Sequence, residues 1–310
     1  MKPFIPTAQQ ARAIQSRAPR LAVRAAAGSG KTGVLVQRYL RMIEEEGLTP
    51  DHILALTFTH KAAAEMKERI VVSLEAKGLR SMAQMAETGP IQTFHSWCER
   101  FLRENAFLTG LDPAFTVLAE SQAMMEGRRA LQESILDLAD EHQGVRELLR
   151  EHALANNAFG SPREGSFFME LEEFLNFYRG SGLSPDDLIP LTRSADAVLS
   201  NWLKAVLDDC GISEEPGRDE VNPEFRLKAL APEIRARRPG SQSWLGLDPG
   251  EDRRLAVKAW GLIAIVRDAW SRLEARMHEE QAYDFLLIEA LCMRSLASVP
   301  ELGEKVREKV

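Results

Sequence analysis

The sequence predicts an α/β fold in which a parallel sheet occupies the first third of the chain and helices occupy the rest. Up to about residue 110, short apolar runs alternate with amphipathic stretches, as in parallel sheets whose strands are joined by helices. From about residue 120 the strand pattern nearly disappears and helical periodicity dominates. The second region is therefore expected to be a large all-α insertion.

The expected elements follow in strand–helix order. Strands are predicted at 21–25, 53–58 and 91–94, each followed by a helix, at 30–46, 60–77 and 95–105. Later helices are predicted at 121–142, 145–158, 163–179, 194–210, 251–280 and 282–296, whereas 211–250 has the composition of a mobile loop. We divide the chain into a sheet domain at 1–119, a helical insertion at 120–282 and a helical return at 283–310.

Composition excludes several classes of protein. No apolar run approaches the ~20 residues that a membrane helix needs, and no secretory signal is visible, so a cytoplasmic location is expected. The three cysteines have no metal-ligand or disulfide spacing and are expected to be buried or partly buried thiols.

Charge is spread unevenly along the chain. Residues 1–110 hold 15 lysine and arginine against 10 aspartate and glutamate, and residues 111–310 hold 24 against 36. A polyanion should therefore meet the first third. The alternative is an ordinary solvated surface.

A glycine-rich stretch from Ala25 to Thr32 lies between the first predicted strand and its helix, the setting that a P-loop requires. Backbone N–H groups in such a loop surround phosphates, Lys31 is expected to reach the β- and γ-phosphates, and the Thr32 hydroxyl is expected to bind magnesium. The predicted cofactors are thus ATP and Mg²⁺. The predicted nucleotide-binding residues of the loop are Ala26, Ala27, Gly28, Ser29, Gly30, Lys31 and Thr32, with Lys31 and Thr32 as catalytic residues.

Three further motifs accompany this loop, at 7–14, 56–70 and 93–96. In order, spacing and residues, the four motifs resemble those of UvrD/Rep-like superfamily 1 DNA helicases, over roughly residues 5–120. The stretch 92–103 resembles the AddA and RecB helicase-nuclease branch. The resemblance implies an incomplete P-loop NTPase (RecA-like) sheet with an inserted helical subdomain.

The resemblance also implies roles for single residues. Gln10 would read the adenine edge, with a solvated glutamine as the alternative, and Arg38 would contact the nucleotide. Family members usually have asparagine where this chain has His60. For Phe58 the alternative is a core aromatic, and His95 would be a DNA contact or a polar anchor. The implied single-stranded-DNA contacts are Thr57, Phe58, Thr59, His60, Lys61, Thr93, Phe94, His95 and Ser96.

The implied function is that of the N-terminal ATP-binding portion of an ATP-dependent DNA helicase that translocates on single-stranded DNA in repair or recombination. Its implied partners are single-stranded DNA, duplex/single-strand junctions and a nuclease subunit. The acidic cluster that precedes the Walker B strand in the family is reduced to Asp284, and no Walker B motif follows by Val310. The 310-residue chain alone is therefore expected to bind ATP weakly, to hydrolyse it negligibly and to expose an apolar sheet edge. The alternatives are a non-motor regulatory module that binds nucleotide and DNA, and an unrelated P-loop kinase or ATPase.

Overall fold

The structure, a computed structural model, describes residues 4–26, 28–153, 167–213, 222–237 and 245–309. It divides into two compact units. The first consists of Met1–Ala114 with Leu291–Val310, and the second of Phe115–Ala290. The unit boundaries therefore fall after Ala114 and Ala290, against the predicted boundaries after residues 119 and 282.

The first unit alternates helices with two short strands. Its pair of strands is parallel, with Ala55 beside Ile91 and Thr57 beside Thr93. A parallel pair needs a crossover connection, which two helices supply here, and the predicted second and third strand–helix pairs are confirmed. The elements up to residue 109 are α1 (Ala8–Gln15), α2 (Lys31–Glu46), β1 (Ala55–Thr57), α3 (His60–Ala76), α4 (Arg80–Thr88), β2 (Ile91–Thr93), α5 (Phe94–Glu104) and α6 (Ala106–Thr109).

An apolar core joins α2, α3 and α4 to the two strands. On α2 the buried positions recur at helical spacing, and on α3 the fully buried Ile70 and Leu74 lie one turn apart. The crossover therefore packs on the strands along continuous apolar stripes. The core residues are Val36, Tyr39, Leu40, Ile43, Ile53, Met66, Ile70, Leu74, Ala83, Ala86 and Ile91.

The predicted first strand is wrong, because residues 21–25 form no strand. Within the described chain, the sheet of this unit contains only β1 and β2. An extended segment without a hydrogen-bonded neighbour leaves its backbone groups to water and is not held as a strand. Leu21 and Val23 consequently remain 43% and 55% exposed, so the expected exposed apolar surface lies on this segment.

The second unit is mainly helical, and the predicted helices are confirmed over the described residues. Positions 154–158 and 163–166 of those predictions lie outside the described ranges. The elements are β3 (Thr116–Val117), α7 (Glu120–Glu141), α8 (Gln143–Ala153), α9 (Phe167–Arg179), α10 (Ile189–Thr192), α11 (Ala195–Cys210), α12 (Pro223–Arg237), α13 (Pro249–Glu280) and β4 (Ala282–Tyr283), followed by α14 (Phe285–Ser298), which continues into the first unit, and by α15 (Pro300–Lys309).

Two expectations for this unit need correction. The insertion is not all-α, because β3 and β4 pair in parallel with Thr116 beside Ala282. Two-residue strands are too short to produce a detectable alternation. The predicted loop at 211–250 contains α12, which buries Leu227, Ala231 and Ile234 at helical spacing. Pro232 inside this helix conceals the pattern, and tertiary packing overrides the local preference.

Asp284 is buried at the start of α14. Its Oδ1 accepts a hydrogen bond from Arg179 Nη2 at 2.7 Å and another from the Leu287 N–H at 2.9 Å. Both Arg179 and Asp284 are about 5% exposed. The carboxylate therefore pairs with a guanidinium and also caps the helix, and removing either partner would leave a buried charge uncompensated.

A close backbone contact joins α8 to α13. A Cβ atom built on Gly144 would lie 2.5 Å from the Val257 carbonyl oxygen and 2.7 Å from the Gly261 nitrogen. Beside this contact the His142 ring packs on Trp260 with ring centroids 4.1 Å apart. Burial, with the charge of Arg146, lowers the pKa of His142, so the ring is neutral at pH 7 and its Nδ1 accepts the Val145 N–H at 3.3 Å.

Two sequence expectations can be compared directly with the structure. No helix within the described ranges is both long enough and apolar enough to span a membrane. Cys98 and Cys292 are buried thiols and Cys210 is partly buried, as expected.

We predict that Gly261→Ala destabilises the second unit by about 1–3 kcal/mol or more, because the added methyl group would overlap the backbone of Gly144. Gly127→Ala in α7 is the matched control, since a Cβ atom there meets nothing within 4 Å and alanine favours the helix by about 0.5–1 kcal/mol. Urea unfolding followed by tryptophan fluorescence measures both. Equal midpoints for the two variants would contradict the predicted contact.

Candidate nucleotide and nucleic-acid sites

The glycine-rich loop turns back on itself immediately before α2. Gly28 and Gly30 have φ angles of +74° and +79°, in the left-handed region that glycine adopts readily. The Ser29 hydroxyl donates to the Ala26 carbonyl at 2.7 Å, which closes the turn. No side chain caps α2 after Gly30, so its first backbone N–H groups point toward an open loop. The predicted loop residue Ala27 lies outside the described residues.

Lys31 lies across the mouth of this loop. Its Nζ donates to the carbonyl oxygens of Ala25 at 3.2 Å and Ala26 at 2.9 Å, and its side chain is exposed. Thr32 follows, half-buried in the first turn of α2. A cation, an uncapped helix start and a glycine-lined turn together fit a phosphate chain.

Gln10 is attached to the same loop although 19 residues separate it from Ser29. Its Nε2 donates to the Ser29 carbonyl at 2.9 Å, while its Oε1 accepts the Thr7 N–H at 2.7 Å in a capping box at the start of α1. An amide has two N–H groups and two lone pairs, so one of each is left over. The structure thus brings Gln10 to the loop, and its reading of adenine stays a prediction.

Arg38 has a structural role in this arrangement. Its Nη1 donates to the carbonyl oxygens of Ala13 and Ser16, both at 2.8 Å, at the end of α1. The half-buried guanidinium ties α1 to α2. Its predicted contact with nucleotide stays a prediction.

The second candidate site lies where β1 and β2 end. Because the strands are parallel and Thr57 is beside Thr93, both chains leave the sheet at the same edge and enter a helix. Thr59 Oγ1 caps α3 by accepting the Ala62 N–H at 3.2 Å, and Thr93 Oγ1 caps α5 by accepting the Ser96 N–H at 3.1 Å. Two helix starts, each with a partial positive charge, therefore face one edge.

Phe58 extends from this edge and is 95% exposed. The alternative of a core aromatic is therefore wrong. His60 and Lys61 follow in the first turn of α3, and both are exposed. Thr57 is engaged locally, since its Oγ1 donates to the Thr59 carbonyl at 3.0 Å.

The motif on β2 is less exposed. Thr93 is only 2% exposed and its Oγ1 also pairs with Ser96 Oγ at 2.8 Å. Phe94 is half-buried with its ring centroid 6.5 Å from that of Trp97, and His95 is half-buried. In this structure Thr93 and Ser96 form the helix cap, and a DNA contact by this motif stays a prediction.

Sequence reasoning missed Phe4, whose ring lies against the first turn of α2. A Cβ atom on Gly33 would be 2.5 Å from Cε2 of Phe4. The available signal was a glycine inside a helix, where most other residues are favoured, with an aromatic residue ahead of the capping box.

Comparison with known proteins agrees with this arrangement. Residues 6–215 match the family model described as the UvrD/REP helicase N-terminal domain. The match covers more than half of the chain, which therefore belongs to this family.

Similar relatives are named as one of the subunits of an ATP-dependent helicase/nuclease, in agreement with the branch expected from residues 92–103. The protein from Exiguobacterium sibiricum is 42% identical over 141 residues, which cover 42% of this chain and 12% of that protein. The protein from Desulforamulus reducens is 34% identical over 200 residues, covering 61% and 16%. The one from Clostridium botulinum is 30% identical over 224 residues, covering 69% and 16%. The chain thus matches less than a fifth of the length of these relatives.

We predict that Gly30→Ala and Gly47→Ala lower stability similarly, by about 1–2 kcal/mol, because both glycines have positive φ angles, +79° and +71°. Only Gly30→Ala should also disturb the loop, since its Cβ atom would lie 3.2 Å from Gln10 Nε2, whereas Gly47 has nothing within 4 Å. Thermal unfolding and ATP titration of both variants measure the two effects. Unchanged ATP affinity in Gly30→Ala would contradict the proximity of Gln10 to the nucleotide.

Proposed function

We propose that this chain is the N-terminal ATP-binding portion of an ATP-dependent DNA helicase that moves on single-stranded DNA in repair or recombination. The observation that carries the proposal is the register of β1 and β2. It places two threonine-capped helix starts at one edge, beside a phenylalanine that is almost fully exposed. Membership of the UvrD/REP helicase family supports the same function.

In the nucleotide half, the backbone of Ala26 to Gly30 would surround the phosphates. Lys31 would exchange its two carbonyl partners for phosphate oxygens, a charge-assisted contact that is stronger than a bond to a neutral carbonyl. The Thr32 hydroxyl would bind Mg²⁺, and Gln10 would contact adenine through its remaining N–H and lone pair. Bound ATP would supply the phosphoryl group whose transfer powers movement.

In the DNA half, Phe58 would stack on a base while hydroxyl, imidazole and amine groups contact the phosphates. Such stacking is tolerant of sequence, because every base presents an aromatic face. A translocating protein requires that property. The proposed contacts of this half are Thr57, Phe58, Thr59, His60, Lys61, Thr93, Phe94, His95 and Ser96.

The relatives are named as subunits, which leads us to propose DNA junctions and a nuclease partner protein as further partners. For the 310-residue chain alone we propose binding without turnover, because neither a Walker B carboxylate nor the transition-state arginines occur in its sequence. DNA-stimulated phosphate release by the purified chain would contradict this. The non-motor alternative has no observation of its own in its favour.

We predict that Lys31→Ala abolishes saturable binding of a fluorescent ATP analogue in the presence of magnesium, because no other residue between Ala25 and Thr32 has a charged side chain. Lys204→Ala is the control, an exposed lysine of α11 in the second unit. Fluorescence titration of the wild type and both variants measures the change. Equal affinities for wild type and Lys31→Ala would remove the loop from the proposed function.

We predict that Phe58→Ala weakens binding of a single-stranded oligonucleotide by a free energy of about 1–3 kcal/mol, the usual contribution of a stacked base. Phe107→Ala in α6 is the matched control, since Phe107 is 97% exposed in the same unit but lies away from the strand ends. Fluorescence anisotropy at fixed salt measures both affinities. An equal loss in the two variants would show that exposed apolar surface, and not this edge, binds the DNA.

A further inference from the structure

Phe4 fills the space that a side chain at position 33 would occupy. A Cβ atom on Gly33 would lie 2.5 Å from Cε2, 2.7 Å from Cδ2 and 3.2 Å from Cζ of the Phe4 ring. The same ring lies 3.6 Å from the corresponding position on Gly30. An aromatic ring thus covers the first turn of α2, directly beside the glycine-rich loop.

Gln10 borders the same place. Its Nε2 lies 3.2 Å from the Cβ position of Gly30, so the Phe4 ring and the Gln10 amide both lie against one glycine. Phe4 is half-buried, which leaves part of its ring open to solvent. A nucleobase offers an apolar face and a hydrogen-bonding edge, and these two side chains provide the complementary pair.

We propose that Phe4 is the stacking wall of the base subsite and determines the preference of the loop for a nucleoside triphosphate over a bare polyphosphate. This inference rests on the proposed function, because it requires that the phosphates bind at the loop. Phe4 supplies the plane on which the base lies, Gln10 contacts the edge of the base, and Gly33 leaves room for the ring. The competing structural role is that Phe4 only fastens residues 4–7 to α2.

Calorimetric titration of the full chain with ATP and, separately, with inorganic tripolyphosphate distinguishes these roles. Phe4→Leu keeps apolar volume without a ring, Phe4→Trp keeps a ring, and Ile5→Ala is the control because Ile5 is 83% exposed next to Phe4. Any affinity tag belongs at the C-terminus, away from Phe4. Circular dichroism and thermal unfolding establish that each variant is folded.

We expect Phe4→Leu to weaken ATP binding between roughly 5-fold and 150-fold, the range that loss of a stacked base gives, and to leave tripolyphosphate binding unchanged. Phe4→Trp should restore ATP binding, and Ile5→Ala should resemble the wild type for both ligands. An equal loss for ATP and tripolyphosphate would assign Phe4 the structural role and overturn the proposal, as would no loss for either ligand. Failure of the wild type to bind either ligand would overturn the proposed function and this inference with it. Retained tripolyphosphate binding with unchanged ATP affinity in Phe4→Leu would overturn this inference alone.

Gly33→Ala provides a second route to the same question. Alanine is a good helix former, so α2 should persist, but the new methyl group must displace the Phe4 ring. We expect Gly33→Ala to weaken ATP binding without affecting tripolyphosphate, and to have no further effect in a Phe4→Ala background. Additive losses in the double variant would show that the two positions act independently and would contradict the proposed wall.

Discussion

The parallel pairing of β1 with β2 is the constraint on which the candidate DNA site depends. Strand direction decides that both strands end at one edge, and register decides that Thr57 and Thr93 are neighbours there. A shift of one residue would turn each side chain to the other face of the sheet and would separate the two capped helix starts. The core of α2, α3 and α4 holds this register, since Ile91 on β2 is buried in it.

Local signals made much of this molecule predictable. The threonine caps, the glycine loop and the amphipathic helices each depend on residues within one or two turns, so α2, α3, α5, α7, α11 and α13 could be anticipated from the sequence. The predicted strand at 21–25 failed for the opposite reason. Its apolar residues indicate a preference that only a neighbouring strand can satisfy, and no described strand pairs with it.

The candidate nucleotide site shows the same limit at the level of side chains. The sequence motif indicated Lys31 and Gln10, but not that Gln10 would bond the Ser29 carbonyl or that Lys31 would bond its own loop. Phe4 belongs to no motif, and only the three-dimensional contact with Gly33 connects it to the site. Contacts between distant residues leave little trace in a single sequence, whereas a conformational requirement such as the φ angles of Gly28 and Gly30 leaves a clear one.

The contact of Arg38 with the end of α1 has a mechanical consequence. Because this guanidinium holds the carbonyl oxygens of Ala13 and Ser16, while Gln10 holds the loop at the other end of the same helix, α1 is fixed to α2 at two points. The amide of Gln10 and the amine of Lys31 therefore belong to one stiff assembly. Any tool that gauges a nucleotide from base to terminal phosphate needs such a fixed scale, and here two helices and three side chains make it.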